Sequence, residues 1–266
     1  MSGAQPPRHG TYLYCVTRVG PFQQNGSGIQ ATGIAGQPVR MITQGDLAAF
    51  VSDSPADEYD ITHENVTAHE SAIEQVMQHA DVLPVSFGTV AASDDEVREQ
   101  LLRHESENLR SQLERVRNRV ELGLKVLWEE GPLFSQIITE DPELQALREQ
   151  IVGTTPEETY DIRIRIGELT DAAIQSKREQ ETTDIMNALA PLTVDSRINN
   201  IITDLMILNA AFLVDKSQVR AFGAKVDEMR QSSQGRLNFQ FVGPLPPYNF
   251  VTVTVHWEEP SNAVTQ

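Results

Sequence analysis

Thr155-Pro156-Glu157-Glu158-Thr159-Tyr160-Asp161-Ile162-Arg163-Ile164-Arg165-Ile166 carries two contradictory signals, and the choice between them decides the fold. Tyr160, Ile162, Ile164 and Ile166 alternate with polar residues as a half-buried strand would. Just upstream, Thr155 and Glu158 have the spacing of a capping box, and Pro156 stands at the first helical position, where its missing amide costs nothing. The helix is the better reading. Ile162, Ile166, Leu169 and Ala173, then Met186 and Leu189, continue at helical spacing until Pro191. A helix from Pro156 to Ala190 would be about 50 Å long at ~1.5 Å per residue. Its polar centre, Gln175 to Thr183, is expected to stand in solvent.

Upstream, Val120 to Trp128 alternates as a half-buried strand and is closed by Gly131-Pro132. Asp141-Pro142 caps a short helix with Leu144, Leu147 and Ile151, and Gly153 ends it. Downstream, Thr193 to Asn199 and Leu205 to Val214 read as a hairpin. A helix capped by Asp215 then carries Val219, Phe222, Val226 and Met229, and a last strand runs from Arg236 to Val242. The order strand, helix, strand, strand, helix, strand is the ferredoxin-like arrangement, assigned to a C-terminal domain at 120–266.

The first 119 residues read as a different, mixed α+β domain. Thr11 to Val16 is a strand, followed by a loop rich in Gly, Pro and Asn to Gly36. Val39 to Ile42 and Leu47 to Val51 form a hairpin around Gly45. A helix follows from the Thr62 cap, with Val66, Ile73, Val76, Met77 and Ala80 near helical period. Val82 to Val90 returns to strand character, with Pro84 confined to its start or to an edge. Ser93 and Glu96 make a capping box for a helix to about Arg119, whose buried stripe is Val97, Leu101, Leu109, Leu113 and Val116.

Composition narrows the function classes. At 266 residues the chain is long enough for two domains of about 150 residues or fewer. Lys and Arg number 21 against 38 Asp and Glu, a net charge of -17, which a nucleic-acid backbone or anionic membrane surface would repel. The single cysteine, Cys15, cannot form an intramolecular disulfide, so a reducing cytoplasm is the expected compartment. Met1 to Gly10 lacks the apolar run of a signal peptide, and no stretch approaches the roughly 20 apolar residues of a membrane span.

The search for chemistry returns no catalytic, metal or cofactor constellation. His63 and His69 lie six apart on one helix, not the four that would aim both rings at one metal, so a polar helix face is the expected setting. His79 suits a helix C-terminus, and His104 falls on the buried stripe. Gly26, Gly28 and Gly33 match no phosphate-loop spacing. Cys15 sits in an apolar strand, where burial keeps a thiol inert. The acidic pairs Asp94-Asp95, Glu129-Glu130 and Glu258-Glu259 fall at caps and strand ends, as solvated charge does. What remains unusual is Gly243-Pro244-Leu245-Pro246-Pro247-Tyr248-Asn249-Phe250, a stiff segment of prolines and aromatics. It reads either as a preformed docking surface or as a terminal loop fixed on its own sheet.

Leu83 to Val90, Val120 to Lys125, Asn209 to Val214 and Gly243 to Val251 stand in an order and spacing that resembles the gas vesicle protein F/L family over nearly the whole chain. The chain departs from that pattern at Ser86, where the family often has Arg. The resemblance implies two α+β domains, the second a modified ferredoxin-like one, and a non-enzymatic accessory protein of gas vesicle formation without cofactors. It implies the hydrophobic wall protein, gas vesicle protein A (GvpA), as partner, with other accessory proteins as further partners. The expected role is in vesicle nucleation or on the gas-facing surface. The partner-binding residues expected are Leu83, Pro84, Val85 and Phe87 with Leu245, Pro246, Pro247, Tyr248 and Phe250. Two competing readings are a ferredoxin-like small-molecule-binding or enzymatic domain with a pocket beneath the long helix, and a cytosolic scaffold for an unrelated partner.

Overall fold

The computed structural model describes residues 10–23, 29–253 and 255. Contacts group the chain into two compact units. One holds the described parts of Met1–Glu121 and Pro244–Gln266, and the other is Leu122–Gly243. The sequence reading divides the chain once, at 119/120. It does not see the return of the tail, because a segment's apolar character does not say which core it enters.

The first unit contains β1 (Gly10–Arg18), β2 (Arg40–Gln44), β3 (Leu47–Ser54), α1 (His63–Met77), β4 (Val82–Pro84), β5 (Val90–Ala91), α2 (Asp94–Glu96), a π-helical stretch (Val97–His104) and α3 (Ser106–Arg115). Its sheet runs in the order β2-β3-β1-β4, with β5 also on β1 and every pairing antiparallel. Both faces of β1 are covered, which is why its sequence is a nearly continuous apolar run. Tyr12, Tyr14 and Cys15 join Ile73 and Val76 of α1 in one core cluster. Leu13 and Val16 join Leu101, Leu109 and Leu113 in the other.

Three local expectations change here. Val82 to Val90 is two short strands separated by a turn, with Gly88 at φ +82°. The helix from Ser93 widens into eight π-helical residues, a phase shift that buries both Leu101 and Leu102 and leaves His104 exposed instead of buried. Asp94 does more than start a helix. It accepts bidentate bonds from Arg40 of β2 at 2.6 and 2.8 Å and a third from Thr11 at 2.8 Å.

The second unit contains β6 (Arg119–Trp128), α4 (Glu130–Glu140), α5 (Pro142–Gln150), α6 (Tyr160–Leu189), β7 (Asp195–Ile198), β8 (Met206–Asp215), α7 (Val219–Ser232) and β9 (Leu237–Leu245). The antiparallel sheet order β7-β8-β6-β9 is the ferredoxin-like one. Gly131-Pro132 does not end the strand in a loop. Both residues lie in the first turn of α4, where proline needs no amide partner. The last strand continues through Gly243-Pro244 to Leu245, and α7 is preceded by a 3-10 turn at Lys216–Gln218 instead of a side-chain cap from Asp215.

The capping box at Thr155 forms, with the Thr155 amide 3.1 Å from Glu158 Oε2 and the Glu158 amide 3.4 Å from Thr155 Oγ1. It closes a turn, and the helix proper starts at Tyr160. Thirty residues give α6 a length of about 45 Å. The expectation that its polar centre faces solvent holds on one side only: Gln175, Ser176, Glu179, Gln180 and Thr183 are exposed, whereas Lys177, Arg178, Glu181 and Thr182 are half-buried. Arg178 donates from Nε to Met206 O at 3.0 Å and from Nη2 to Asp204 O at 2.6 Å, and its guanidinium lies 5.5 Å from the centroid of the Trp128 ring. Thr182 donates to Ile207 O at 3.1 Å, Lys177 pairs with Glu140 at 3.0 Å, and Glu181 pairs with Arg236. Polar side chains in mid-helix therefore hold α6 to its sheet, while Tyr160 and Ile164 near its start are exposed.

Arg178→Ala is expected to destabilise the chain by about 1–3 kcal/mol, because it strips two carbonyls of their donor and uncovers Trp128. Arg178→Lys should recover only part of this, since an ammonium cannot reproduce the fork. Denaturant unfolding midpoints of the two variants check both statements.

Candidate partner-binding site

The sequence motifs at Leu83–Phe87 and Leu245–Phe250 both lie in the first unit. Leu83 and Pro84 pair with Val16 and Cys15 on β1. Pro84 is tolerated because β4 is an edge strand. Val85 donates its amide to Tyr14 O at 2.9 Å and forms a parallel bridge with Val253. The tail beyond β9 therefore lies beside the strand with which the sequence analysis grouped it.

Most of the expected docking residues are interior. Leu83, Pro84, Val85, Pro246, Pro247 and Phe250 are buried, Phe87 and Leu245 are half-buried, and Tyr248 is 37% exposed. The tail is thus a fixed element of the first core, with Val251 and Val253 among Leu13, Val16 and Val97. Of the expected residues, only Leu245 and Tyr248 at the rim of the tail and Phe87 in the turn between β4 and β5 keep appreciable exposure.

Two buried polar devices hold that rim. The first is Glu121, only 3% exposed, whose Oε2 accepts the Asn249 amide at 2.7 Å and whose Oε1 accepts Asn249 Nδ2 at 2.6 Å. Burial pushes the Glu121 carboxyl up, and the two bonds from Asn249 pull it back toward the charged form. Around it, the Tyr248 amide donates to Pro246 O at 2.7 Å and the Phe250 amide to Pro247 O at 3.1 Å. Gln112 brackets Thr252, two residues on, accepting its amide at 2.9 Å and donating to its carbonyl at 3.0 Å. The Tyr248 side chain also lies near acidic residues of α1. Its phenol is pushed up first by burial and then by the Glu70 and Glu74 carboxylates.

The second device is His69, which the sequence analysis placed on a polar helix face and which is 3% exposed in the structure. Its Nε2 lies 3.1 Å from Val85 O, and a carbonyl only accepts, so Nε2 carries the proton. Its Nδ1 then accepts from the Tyr12 hydroxyl at 3.0 Å, and that hydroxyl accepts the Gly88 amide at 3.0 Å. The chain of bonds grips both ends of the Ser86–Phe87 turn. Phe87 packs with its ring centroid 5.7 Å from His69 and 6.4 Å from Tyr12. The spacing of His69 with Ala72, Ile73 and Val76 was the available signal for its burial. Glu121 and Asn249 had none, because pairing across the chain leaves no periodicity.

Other candidate residues have structural surroundings. Cys15 is buried and its thiol is pushed up by burial. Gly33 packs against Tyr14, where an added Cβ would fall 1.9 Å from the hydroxyl. Gly26 and Gly28, and the Glu258-Glu259 pair, lie outside the described residues. A cleft of about 500 Å3 lies between α4 and α6 in the second unit, but its Lys177 and Arg236 are already paired with Glu140 and Glu181.

His69 sets a pH dependence. Burial lowers its pKa from 6.5 to about 4, so between those values the unfolded chain binds a proton that the folded chain refuses. The stability contribution is full above pH 6.5 and is lost as pH falls toward 4, by up to roughly 3 kcal/mol. Glu121 has the opposite sign: its raised pKa lets the folded chain hold a proton that the unfolded chain has released. His69→Gln should be less stable at neutral pH and lose less than the parent on acidification, as stability titrations of both will show. Glu121→Gln presents an NH2 group to an Asn249 donor, and a loss of about 1–3 kcal/mol is expected in the same measurement at pH 7.

Comparison with known proteins agrees along the whole architecture. The family model for gas vesicle synthesis protein GvpL/GvpF matches residues 10–252. The chain is 30% identical over 247 residues to gas vesicle protein F of Streptomyces sp. (strain CB03234), covering 91% of this chain and 99% of that one. It is 28% identical to gas vesicle protein F1 of Halobacterium salinarum, over 90% and 94% of the two chains. The crystal structure of GvpF from Anabaena sp. PCC7120 superposes with a TM-score of 0.79 at 24% identity, over 91% and 97% of the chains. That of GvpF from Microcystis aeruginosa gives 0.74 at 23%, over 91% and 98%. The chain belongs to the gas vesicle synthesis protein GvpL/GvpF family.

Proposed function

We propose that this protein is a non-enzymatic assembly factor of the gas vesicle, which binds the wall protein GvpA and supports vesicle nucleation or lies on the gas-facing surface. The family match over residues 10–252 carries this reading. A shell with an apolar inner surface must be built from subunits that aggregate in water, so a soluble carrier has a clear task. A net charge of -17 would keep a loaded complex from associating further. The buried ionisable groups support a non-catalytic role, because His69 and Glu121 spend their bonds on the chain's own backbone and on Asn249. Other gas vesicle accessory proteins are further partners, and the place of action is the cytoplasm and the vesicle within it.

The docking face in this reading is the rim of Phe87, Leu245 and Tyr248, presented by a core that is already ordered. Such a face loses little conformational entropy on binding. Light scattering of wall protein diluted from denaturant should show slower aggregation when this protein is present. Unchanged aggregation, with no co-purification, would reject the reading. Tyr248→Ala should weaken the interaction by about 1–2 kcal/mol, roughly five- to thirtyfold, without loss of fold. Phe250→Ala is unsuitable for this purpose, since Phe250 is 2% exposed and its loss damages the core.

A further inference from the structure

Beside the rim of Phe87, Leu245 and Tyr248 stand two carboxylates that the chain itself leaves unmatched. Glu70 and Glu74 lie one turn apart on α1, both exposed and outside the buried stripe of His69, Ala72, Ile73 and Val76. Like charges at this spacing repel. α1 contains no lysine or arginine to offset them, and among the described residues neither carboxylate has a hydrogen-bond or ion-pair partner. Acids on other helical segments are matched within a turn: Glu99 pairs with Arg103, Glu168 with Arg165 and Glu228 with Lys225. Backbone contacts bring the unmatched pair to the rim. His69, the residue before Glu70, lies against Val85 O, and Val85 bridges to Val253, so α1 and the tail meet at the same residue. The Tyr248 side chain lies near both carboxylates.

We infer, resting on the docking face proposed above, that its ligand is a protein segment carrying lysine or arginine beside apolar side chains, with the cation at Glu70 and Glu74 and the apolar residues on the rim. Charge complementarity selects this occupant. A second copy of this chain, at net charge -17, is repelled. A purely apolar segment would cover the rim but strip water from two carboxylates and give nothing back. A cation offsets both that loss and the repulsion within the pair, and an arginine does so with hydrogen bonds as well. The aromatic rim then supplies affinity, and the acidic pair decides which apolar segment is accepted.

Light scattering of wall protein, read as the concentration of this protein that halves the aggregation rate, tests the assignment on the full chain. Glu70→Gln combined with Glu74→Gln should raise that concentration about tenfold at about 50 mM salt and by much less at about 500 mM, where charges are screened. Glu70→Lys with Glu74→Lys should raise it further. Glu157→Gln with Asp171→Asn removes two exposed charges from the second unit and should leave it unchanged. An unfolding midpoint of the Glu70/Glu74 glutamine variant at or above the parent's, as expected when a like-charge pair is removed, shows that its loss is not misfolding. Weakening by Tyr248→Ala but not by the paired glutamines would overturn the basic-segment ligand and keep the docking face. Weakening by neither, or a parent without effect on aggregation, would overturn both. Equal weakening by the second-unit pair would overturn the assignment too, because net charge alone would then be responsible.

Discussion

A carboxylate taken out of water must be given hydrogen bonds, and at Glu121 both come from one residue, Asn249, 128 positions further along the chain. This pairing fixes the course of the tail. Once Asn249 is held, the turn at Pro246–Phe250 closes on itself and Val251 and Val253 enter the core beside Val85. Glu121 and Asn249, each inside a motif far from the other in the chain, thereby meet in one contact. The apolar rim they support is in place before any partner arrives.

Similar logic organises the remaining polar groups. His69 spans β1, α1 and the turn after β4 with three consecutive hydrogen bonds. Asp94 ties its helix start to β1 and β2, and Arg178 ties the long helix to the carbonyls of Asp204 and Met206. In each case the group whose desolvation would cost most is the one that fixes relative position. In the proposed role such rigidity is useful, because a preformed face spends its binding energy on the partner instead of on its own ordering.

The fold was largely legible. The order of elements from Val120 onward gave the ferredoxin-like sheet, because each strand and helix there carries its own period and punctuation. Thr155, Pro156 and Glu158 suffice to mark the long helix against a strand, and the helix runs from Tyr160 to Leu189 as they imply. Legibility failed where a side chain's partner is distant in sequence. The stretch from Gln175 to Thr183 looks solvated because it is polar, yet Lys177, Arg178, Glu181 and Thr182 reach the sheet or its flanks. Pro246, Pro247 and Phe250 look like a surface because they are stiff and apolar, and those properties equally suit a plug. His104 was misplaced because a strict 3.6-residue period cannot anticipate a π-helical phase shift.

Hydrogen exchange of the amides from Tyr248 to Thr252, with and without wall protein, distinguishes a preformed rim from one that orders only on binding. The amides of Tyr248, Asn249, Phe250 and Thr252, each bonded within the chain, are expected to exchange slowly in the free protein and to change little on binding. Exchange at the rate of an unfolded chain in the free protein, with protection appearing only when the partner is added, would contradict a preformed rim.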